Sequence, residues 1–287
     1  MPLSRRDFLA ASAAGLTAPD MMLAPRRGGA IKRAVKLYMV QGEASLADKF
    51  KKLKELGFDG VELDAPNGLA KGEVVKAIEA SGLPVHGVVD SAHWSKPFSH
   101  ADASVREEAH DALVKAMHDA KDYGANSVLV VPAVVNAQTS YKAAWERSRV
   151  EIARVLDLAE KLQITIAFEN VWNGFLLSPL EAAAFVDGFQ SRWCKAYFDV
   201  GNVVKFGWPT HWIEALGKSR IFKVDVKEYG HKKGFDVNLF EGDCNWPAVM
   251  QAFDAIGYEG WFTAEMKGGD EAWLKRVADD MAKIIAL

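Results

Sequence analysis

Four acidic residues in the second half of the chain each close a short apolar run, namely Glu169, Asp199, Asp225 and Glu265. A carboxylate at the end of a hydrophobic strand is costly unless its charge is compensated. Two carboxylates about 4 Å apart repel by roughly 4 kcal/mol at an effective dielectric constant near 20. A cluster of them must therefore take up protons or bind a cation. If neighbouring strands bring the four together, they form a divalent-metal site.

The ligand set of two glutamates and two aspartates consists only of oxygen, which favours one hard divalent cation. Manganese and magnesium are the natural candidates, and cobalt and zinc are compatible. Such an ion would polarise a sugar carbonyl and stabilise an enediolate as the neighbouring carbon loses its proton. Glu169 and Glu265 would exchange that proton as base and acid. Transfer between the two faces of the enediolate gives epimerisation, and transfer between its two carbons gives isomerisation.

The segments that must position these acids alternate between apolar strands and stretches of helical period. We predict strands at 34–39, 59–63, 84–89, 127–132, 164–169, 195–199, 221–226 and 260–265, with Ser45, Thr139 and Ser178 as helix N-caps. Eight such repeats predict an α/β fold with a single (β/α)8 TIM barrel, and a doubly wound sheet is the alternative. Active sites of these barrels lie at the C-terminal ends of the strands, where the four acids fall.

The N-terminus carries a motif typical of twin-arginine export, Ser4-Arg5-Arg6-Asp7-Phe8-Leu9-Ala10. We predict that residues 1–30 are an export signal with a flexible leader and that residues 31–287 form the barrel. This assignment implies a periplasmic protein and makes the twin-arginine translocase a partner during export. A disordered basic tail is the alternative interpretation.

Composition argues against several classes of partner. The formal net charge of -3 gives no support for binding to nucleic acid or an anionic membrane. No apolar run approaches the roughly 20 residues that cross a bilayer. The two cysteines, Cys194 and Cys244, fall near opposite ends of the predicted barrel, so we expect free thiols. Whether copies of the chain form a homo-oligomer stays open.

The acidic positions lie in longer motifs that resemble the xylose-isomerase-like TIM barrel superfamily, which contains the sugar phosphate isomerase/epimerase family. The motifs are Phe168-Glu169-Asn170, Phe198-Asp199-Val200-Gly201-Asn202, Val224-Asp225-Val226-Lys227-Glu228, and Gly257-Tyr258-Glu259-Gly260-Trp261 followed by Glu265. The resemblance implies one divalent metal bound by acids, often with a histidine, on strands five to eight. In the ketose 3-epimerase branch the first and last glutamates are the acid–base pair, which implies that role for Glu169 and Glu265.

Three positions depart from the family's patterns. Asp225 stands where many members have histidine, which resembles the xylose isomerases proper and hardens the ligand set. Val171 stands where xylose isomerases have the lysine that assists their hydride shift, so we favour proton transfer. Asn202 replaces a substrate-contacting histidine of the ketose epimerases, and asparagine cannot titrate near neutral pH. We expect Asn202 to contact substrate or support a metal ligand, unless it only forms a turn.

Further residues are candidates for substrate binding: Lys227, Glu62, His93 and Trp172. Lys227 shares the inward parity of Asp225, and Glu62 is expected at the end of strand two. His93 and Trp172 suit a sugar, because imidazole bonds a hydroxyl and indole packs on the C–H face. The alternatives are a surface lysine, a salt bridge and loop-packing aromatics.

These observations predict a metal-dependent isomerase or epimerase of an unphosphorylated sugar or keto-sugar, acting by proton transfer through a metal-stabilised enediolate. A small-molecule carbohydrate is then the substrate. The alternative is a lyase or dehydratase on the same scaffold, eliminating a β-substituent from a keto-sugar, inosose or 3-keto-glycoside. An apurinic endonuclease of the superfamily is disfavoured by the acidic ligand set and the net charge of -3. A non-catalytic carbohydrate-binding barrel is a further alternative.

Overall fold

A computed structural model describes residues 31–287, in which eight parallel strands hydrogen-bond in chain order and close into a barrel. The strands are β1 (Ile31–Lys36), β2 (Gly60–Ala65), β3 (Val85–Asp90), β4 (Ser127–Val130), β5 (Thr165–Glu169), β6 (Cys194–Asp199), β7 (Ile221–Val226) and β8 (Gly260–Ala264). This closure confirms the single (β/α)8 barrel and rules out the doubly wound sheet. The predicted export signal at residues 1–30 lies outside the described residues.

Helices follow the strands and cover the outside of the barrel. They are α1 (Leu46–Glu55), α2 (Lys71–Ser81), α3 (Ala103–Tyr123), α4 (Tyr141–Ala153), α5 (Leu156–Leu162), α6 (Pro179–Asp187), α7 (Val200–Val204), α8 (Pro209–Arg220), α9 (Trp246–Ile256) and α10 (Glu271–Ile285). A 3-10 turn at Leu37–Met39 follows β1. Within 31–287, every helix is too short or too polar to cross a bilayer.

Local signals set most element boundaries, with two corrections. Strand β1 runs from Ile31 to Lys36 rather than over 34–39, because its ladder with β8 begins at Ile31 and the chain leaves the sheet at the 3-10 turn. Ser45 and Ser178 cap helices as predicted. Thr139 does not, because the hydroxyl of Ser140 accepts the helical N–H of Ala143 instead.

The interior of the barrel contains several polar side chains beside a small cluster of Leu129, Ala167 and Tyr197, whereas the layer between strands and helices is apolar. The Tyr197 hydroxyl donates to Glu62 Oε1 at 3.0 Å and lies 2.8 Å from the Thr263 hydroxyl. Lys223 Nζ donates to the His86 carbonyl at 2.6 Å. Ionisable side chains therefore fill the barrel below its rim, and each needs a partner there.

Strand register places the site residues side by side. Asp199 and Asp225 are direct partners across β6 and β7. The backbone N–H of Glu265 donates to the Val226 carbonyl at 3.1 Å, which ties the end of β8 to the end of β7. The two cysteines are free and buried, one at the start of β6 and one in the loop after β7, as predicted.

Candidate active site

The four acidic residues converge at the C-terminal mouth of the barrel. One carboxylate oxygen from each of Glu169, Asp199, Asp225 and Glu265 lies within 4.8 Å of the others. Asp199 and Asp225 are fully buried, and Glu265 is partly exposed. Four carboxylates at this separation, three of them buried, carry a large repulsion that a cation would relieve.

The donor set fits a hard divalent ion. Four carboxylate oxygens of the cluster are buried and accept no hydrogen bond of regular geometry from residues 31–287. They are Asp199 Oδ2, Asp225 Oδ1, Asp225 Oδ2 and Glu265 Oε2. Burial, and then the charge of Glu265, raises the pKa of Glu169 to about 8. Burial also raises the pKa of Asp199 to about 6. Carboxylate oxygens are the ligands that a hard divalent ion prefers, and three of these four oxygens also lie close to a lysine ammonium group.

Two lysines enter the carboxylate cluster, and one of them was not predicted. Lys36 Nζ lies 3.0 Å from Asp225 Oδ2 and 3.3 Å from Glu265 Oε2. Lys227 Nζ lies 3.1 Å from Asp199 Oδ2 and 3.0 Å from Glu265 Oε2. Burial acts to raise the pKa of Glu265, but the two ammonium groups outweigh it and hold that pKa below its ordinary value. Glu265 therefore stays ionised beside two cations.

The fixed charges at the mouth and just below it do not balance. Five carboxylates face three ammonium groups: Glu62, Glu169, Asp199, Asp225 and Glu265 against Lys36, Lys223 and Lys227. With all of them ionised, two negative charges remain. One divalent cation would neutralise that excess, and without it protons must be taken up.

Two asparagines hold acids of the cluster in place. Asn202 donates from Nδ2 to Glu169 Oε1 at 3.2 Å, and its backbone N–H donates to Asp199 Oδ1 at 2.7 Å. Asn170 exchanges two hydrogen bonds with the Asp199 backbone, at 2.8 and 3.0 Å. The residue before Asn202 must be a glycine, because a Cβ on Gly201 would lie 2.5 Å from the Lys227 carbonyl oxygen. Asn202 thus supports two of the acids, and Asn170 is a supporting residue that the sequence reasoning missed.

The structure places the other predicted substrate residues at different depths. His93 is buried in the turn after β3, and its Nδ1 accepts from the Val131 N–H at 3.2 Å. Burial lowers its pKa to about 3, so the neutral ring carries its hydrogen on Nε2 as a donor. Glu62 is not at a strand end as expected. It lies within β2, inside the barrel, with Oε2 3.9 Å from Lys36 Nζ.

Trp172 links three loops at the mouth. Its Nε1 donates to the Asn202 carbonyl at 2.8 Å. Phe235 stacks on the indole with ring centroids 4.7 Å apart, and Lys205 Nζ lies 3.9 Å from the ring centroid. The indole therefore joins the loops after β5, β6 and β7 while remaining partly exposed.

A buried glutamate fixes the long loop after β7. Glu228 accepts from the Phe240 N–H at 2.9 Å, the Cys244 N–H at 3.0 Å and Trp246 Nε1 at 2.7 Å. The position directly follows Lys227, so this anchoring also fixes where that lysine leaves the strand. The sequence motif contains Glu228, but nothing in it separates an anchoring acid from a ligand.

The barrel and its acidic mouth define a class of protein, and comparison with known proteins agrees. Residues 50–286 match the family model described as xylose isomerase-like TIM barrel, and the chain belongs to this family. It is 24% identical over 249 residues to the putative L-ribulose-5-phosphate 3-epimerase SgbU of Escherichia coli K12, covering 81% of this chain and 85% of that protein. It is 25% identical to the L-ribulose-5-phosphate 3-epimerase UlaE of Salmonella heidelberg over 224 residues, covering 74% and 79%.

Solved structures show the same fold. An L-ribulose 3-epimerase superposes with a TM-score of 0.76 at 18% identity, covering 89% of this chain and 95% of that one. The 3-keto-D-glucoside 4-epimerase of Escherichia coli superposes with a TM-score of 0.73 at 14% identity, covering 90% and 100%. At these identities the likeness establishes the barrel, and the chemistry must be argued from the site.

Proposed function

We propose that this protein is a divalent-metal-dependent epimerase or isomerase of an unphosphorylated sugar or keto-sugar. The observation that carries the proposal is the convergence of four carboxylates, three buried and one partly exposed, with one oxygen of each within 4.8 Å of the others. Glu169, Asp199, Asp225 and Glu265 would hold one ion, and their all-oxygen set suits manganese or magnesium.

The residues around the site would then have separate roles in proton transfer. A bound divalent ion would polarise the substrate carbonyl and favour negative charge on its oxygen. Of Glu169 and Glu265, the ionised carboxylate takes the proton from the adjacent carbon, and the protonated one returns a proton to the opposite face. The bond broken and the bond remade are both C–H, so no oxidant or reductant is needed. Lys36 and Lys227 keep Glu265 ionised by direct contact.

Both the relatives and the loops support this substrate class. The relatives compared above are named as 3-epimerases and a 4-epimerase of sugars. Two of those names specify a phosphorylated sugar, whereas the eight loops that follow the strands contain lysines but no arginine. Arginine is the side chain that binds phosphate bidentately. An unphosphorylated substrate also agrees with the export and periplasmic location that we propose from residues 1–30.

The experiment is NMR of the full, Mn²⁺- or Mg²⁺-loaded protein in deuterated water with a panel of ketoses and 3-keto-glycosides. We expect deuterium at the carbon next to the carbonyl, without fragmentation of the sugar. Absence of exchange across the panel would contradict the proposal. Release of an aglycone would instead establish the lyase alternative, which uses the same acids and which none of the relatives' names supports.

Glu265→Gln tests the acid–base assignment. We expect turnover and deuterium exchange to fall at least about 100-fold, because a positioned acid–base group contributes about that much or more. The matched control is Glu107→Gln, which makes the same change on the surface of α3 and should exchange at the wild-type rate. Wild-type exchange by Glu265→Gln would remove Glu265 from the mechanism.

A further inference from the structure

The exposed aromatic side chains are confined to one end of the barrel. Within residues 31–287, the tyrosine, phenylalanine and tryptophan residues that are at least 37% exposed are Tyr38, Trp94, Trp172, Phe206, Trp208, Phe235 and Phe240. All of them lie between the C-terminal end of a strand and the next long helix, on the face that holds the acids. The loops at the opposite end of the barrel carry none. Exposed aromatic surface of this kind marks a binding site.

Four of these side chains surround the mouth. Tyr38 follows β1, Trp94 follows β3, Trp172 follows β5 and Phe235 follows β7, and they are between 39% and 54% exposed. Because the eight strands close in chain order, β1 lies opposite β5 and β3 lies opposite β7. The four loops thus approach the acidic centre from four sides.

Contacts through Lys227 and Asn202 connect two of these rings, Phe235 and Trp172, with the acidic centre. Lys227 Nζ lies 5.3 Å from the Phe235 ring centroid while pairing with Asp199 and Glu265. Trp172 bonds the carbonyl of Asn202, whose side chain donates to Glu169. Trp94 stands next to His93, with ring centroids 5.8 Å apart. A group that extends outward from a sugar bound at the acids would therefore meet aromatic rings.

We propose that the substrate is a glycoside whose second ring, an aromatic aglycone or another sugar, binds to this aromatic mouth. The inference rests on the proposed function and narrows its substrate class. A free monosaccharide at the acids would leave Tyr38 and Trp94, which are 50% and 54% exposed, in water. Aromatic rings instead bind flat apolar faces, which an aryl aglycone and the C–H face of a sugar both offer.

Calorimetry on the full, Mn²⁺-loaded protein tests this with paired ligands: methyl and 4-nitrophenyl glycosides of glucose, galactose and 3-ketoglucose, together with maltose. We expect the 4-nitrophenyl member or the disaccharide to bind about tenfold more tightly than the methyl glycoside, which one added ring contact can supply. Equal affinity throughout would overturn the inference. A preference for the aryl glycoside alone identifies an aglycone, and a preference for maltose identifies a second sugar.

The double variant Trp94→Ser/Phe235→Ser should abolish the preference, so that the methyl glycosides and the ligands with a second ring bind with equal affinity. Trp208→Ser is the matched control, because Trp208 is exposed but lies beyond α7, at the start of α8. An undiminished preference in the double variant would overturn the inference. The inference would also be overturned if sedimentation showed that the wild type is a dimer, that the double variant is a monomer, and that both bind the glycosides with the same affinity. Deuterium exchange without a preference for the second ring would support the proposed function and refute this inference. A preference for the second ring without deuterium exchange would support ring binding and refute the proposed function.

Discussion

Residues 31–287 contain two groups of neighbouring acidic side chains that could hold a metal ion, and their surroundings give them different chemistry. On the surface of α3, Glu107 and Asp111 lie beside His110. There the Arg154 guanidinium donates to both oxygens of Glu107, at 2.8 and 2.9 Å, and lowers the pKa of that carboxyl. Arg154 neutralises Glu107, and solvent reaches both exposed acids, so this cluster does not require a metal ion.

At the barrel mouth the same residue types are buried, and no arginine reaches them from the adjacent loops. Their charges exceed those of the lysines beside them, which leaves room for a divalent cation. A third case is Asp90, which is buried at the end of β3 and belongs to neither group of acids. Burial raises its pKa to about 7, so it takes up a proton instead. Burial and neighbours thus decide whether a carboxylate is paired, protonated or available to a metal ion.

The largest expected effect separates the two clusters directly. Asp225→Asn should weaken Mn²⁺ binding at least about 100-fold. Mutation of a residue that only supports a metal ligand already lowers metal affinity by up to about 100-fold, and Asp225 would be a ligand itself. Glu107→Gln should leave Mn²⁺ affinity unchanged. Calorimetric or EPR titration of the two variants measures this. Equal losses in both, or wild-type affinity in Asp225→Asn, would show that the buried cluster is not the metal site.

Lys36→Met sharpens the comparison by removing a buried cation while keeping the volume of the side chain. The metal-free protein should become less stable, because breaking a buried ion pair leaves charge uncompensated. Mn²⁺ should then bind at least about tenfold more tightly, since a repelling charge beside the ligands is gone. Titration calorimetry and thermal unfolding with and without Mn²⁺ test both. Weaker Mn²⁺ binding would mean that Lys36 organises the ligands instead of opposing the ion.

The acids at the mouth could be predicted from the sequence because a carboxylate that ends an apolar run is unusual at any single position. Strand register then brings them together, as Asp199 and Asp225 show by pairing across β6 and β7. Lys36 ends the run Ala34-Val35 in the same way, but the expected strand 34–39 placed it inside the strand. An error of three residues in a strand boundary hid a member of the site.

Other features depend on contacts between distant segments and leave no local signal. Glu62 is held by Tyr197, which is 135 residues away, and the pattern of β2 alone does not show which layer of the barrel it occupies. Trp172 is fixed by stacking on Phe235 from another loop. The sequence suggests a sugar-binding indole at this position, whereas only the fold shows that its ring is already in contact with a second aromatic side chain.

Asp90→Asn tests the isolated buried acid. Its folded-state pKa of about 7 exceeds the unfolded value of 3.8, so the unfolded state loses its proton first. The stability that Asp90 contributes is therefore present in acid and lost as the pH rises through about 7, by about 1 kcal/mol between pH 6 and pH 8. Asparagine does not titrate, so the variant should lack this decline. Unfolding at both pH values measures it, with exposed Asp111→Asn as the control that should follow the wild type.

The smallest effect is expected at the exposed cluster itself. Glu107→Gln removes a bidentate pair with Arg154 that water and ions already screen, so the thermal midpoint should fall only slightly. The fall should disappear at high salt, where the Debye length is about 3 Å. Thermal unfolding of wild type and variant at low and high ionic strength measures this. A large drop that persists in high salt would mean that the surface pair supports the packing of α3 and not merely its charge, and exposure alone would no longer distinguish the two clusters.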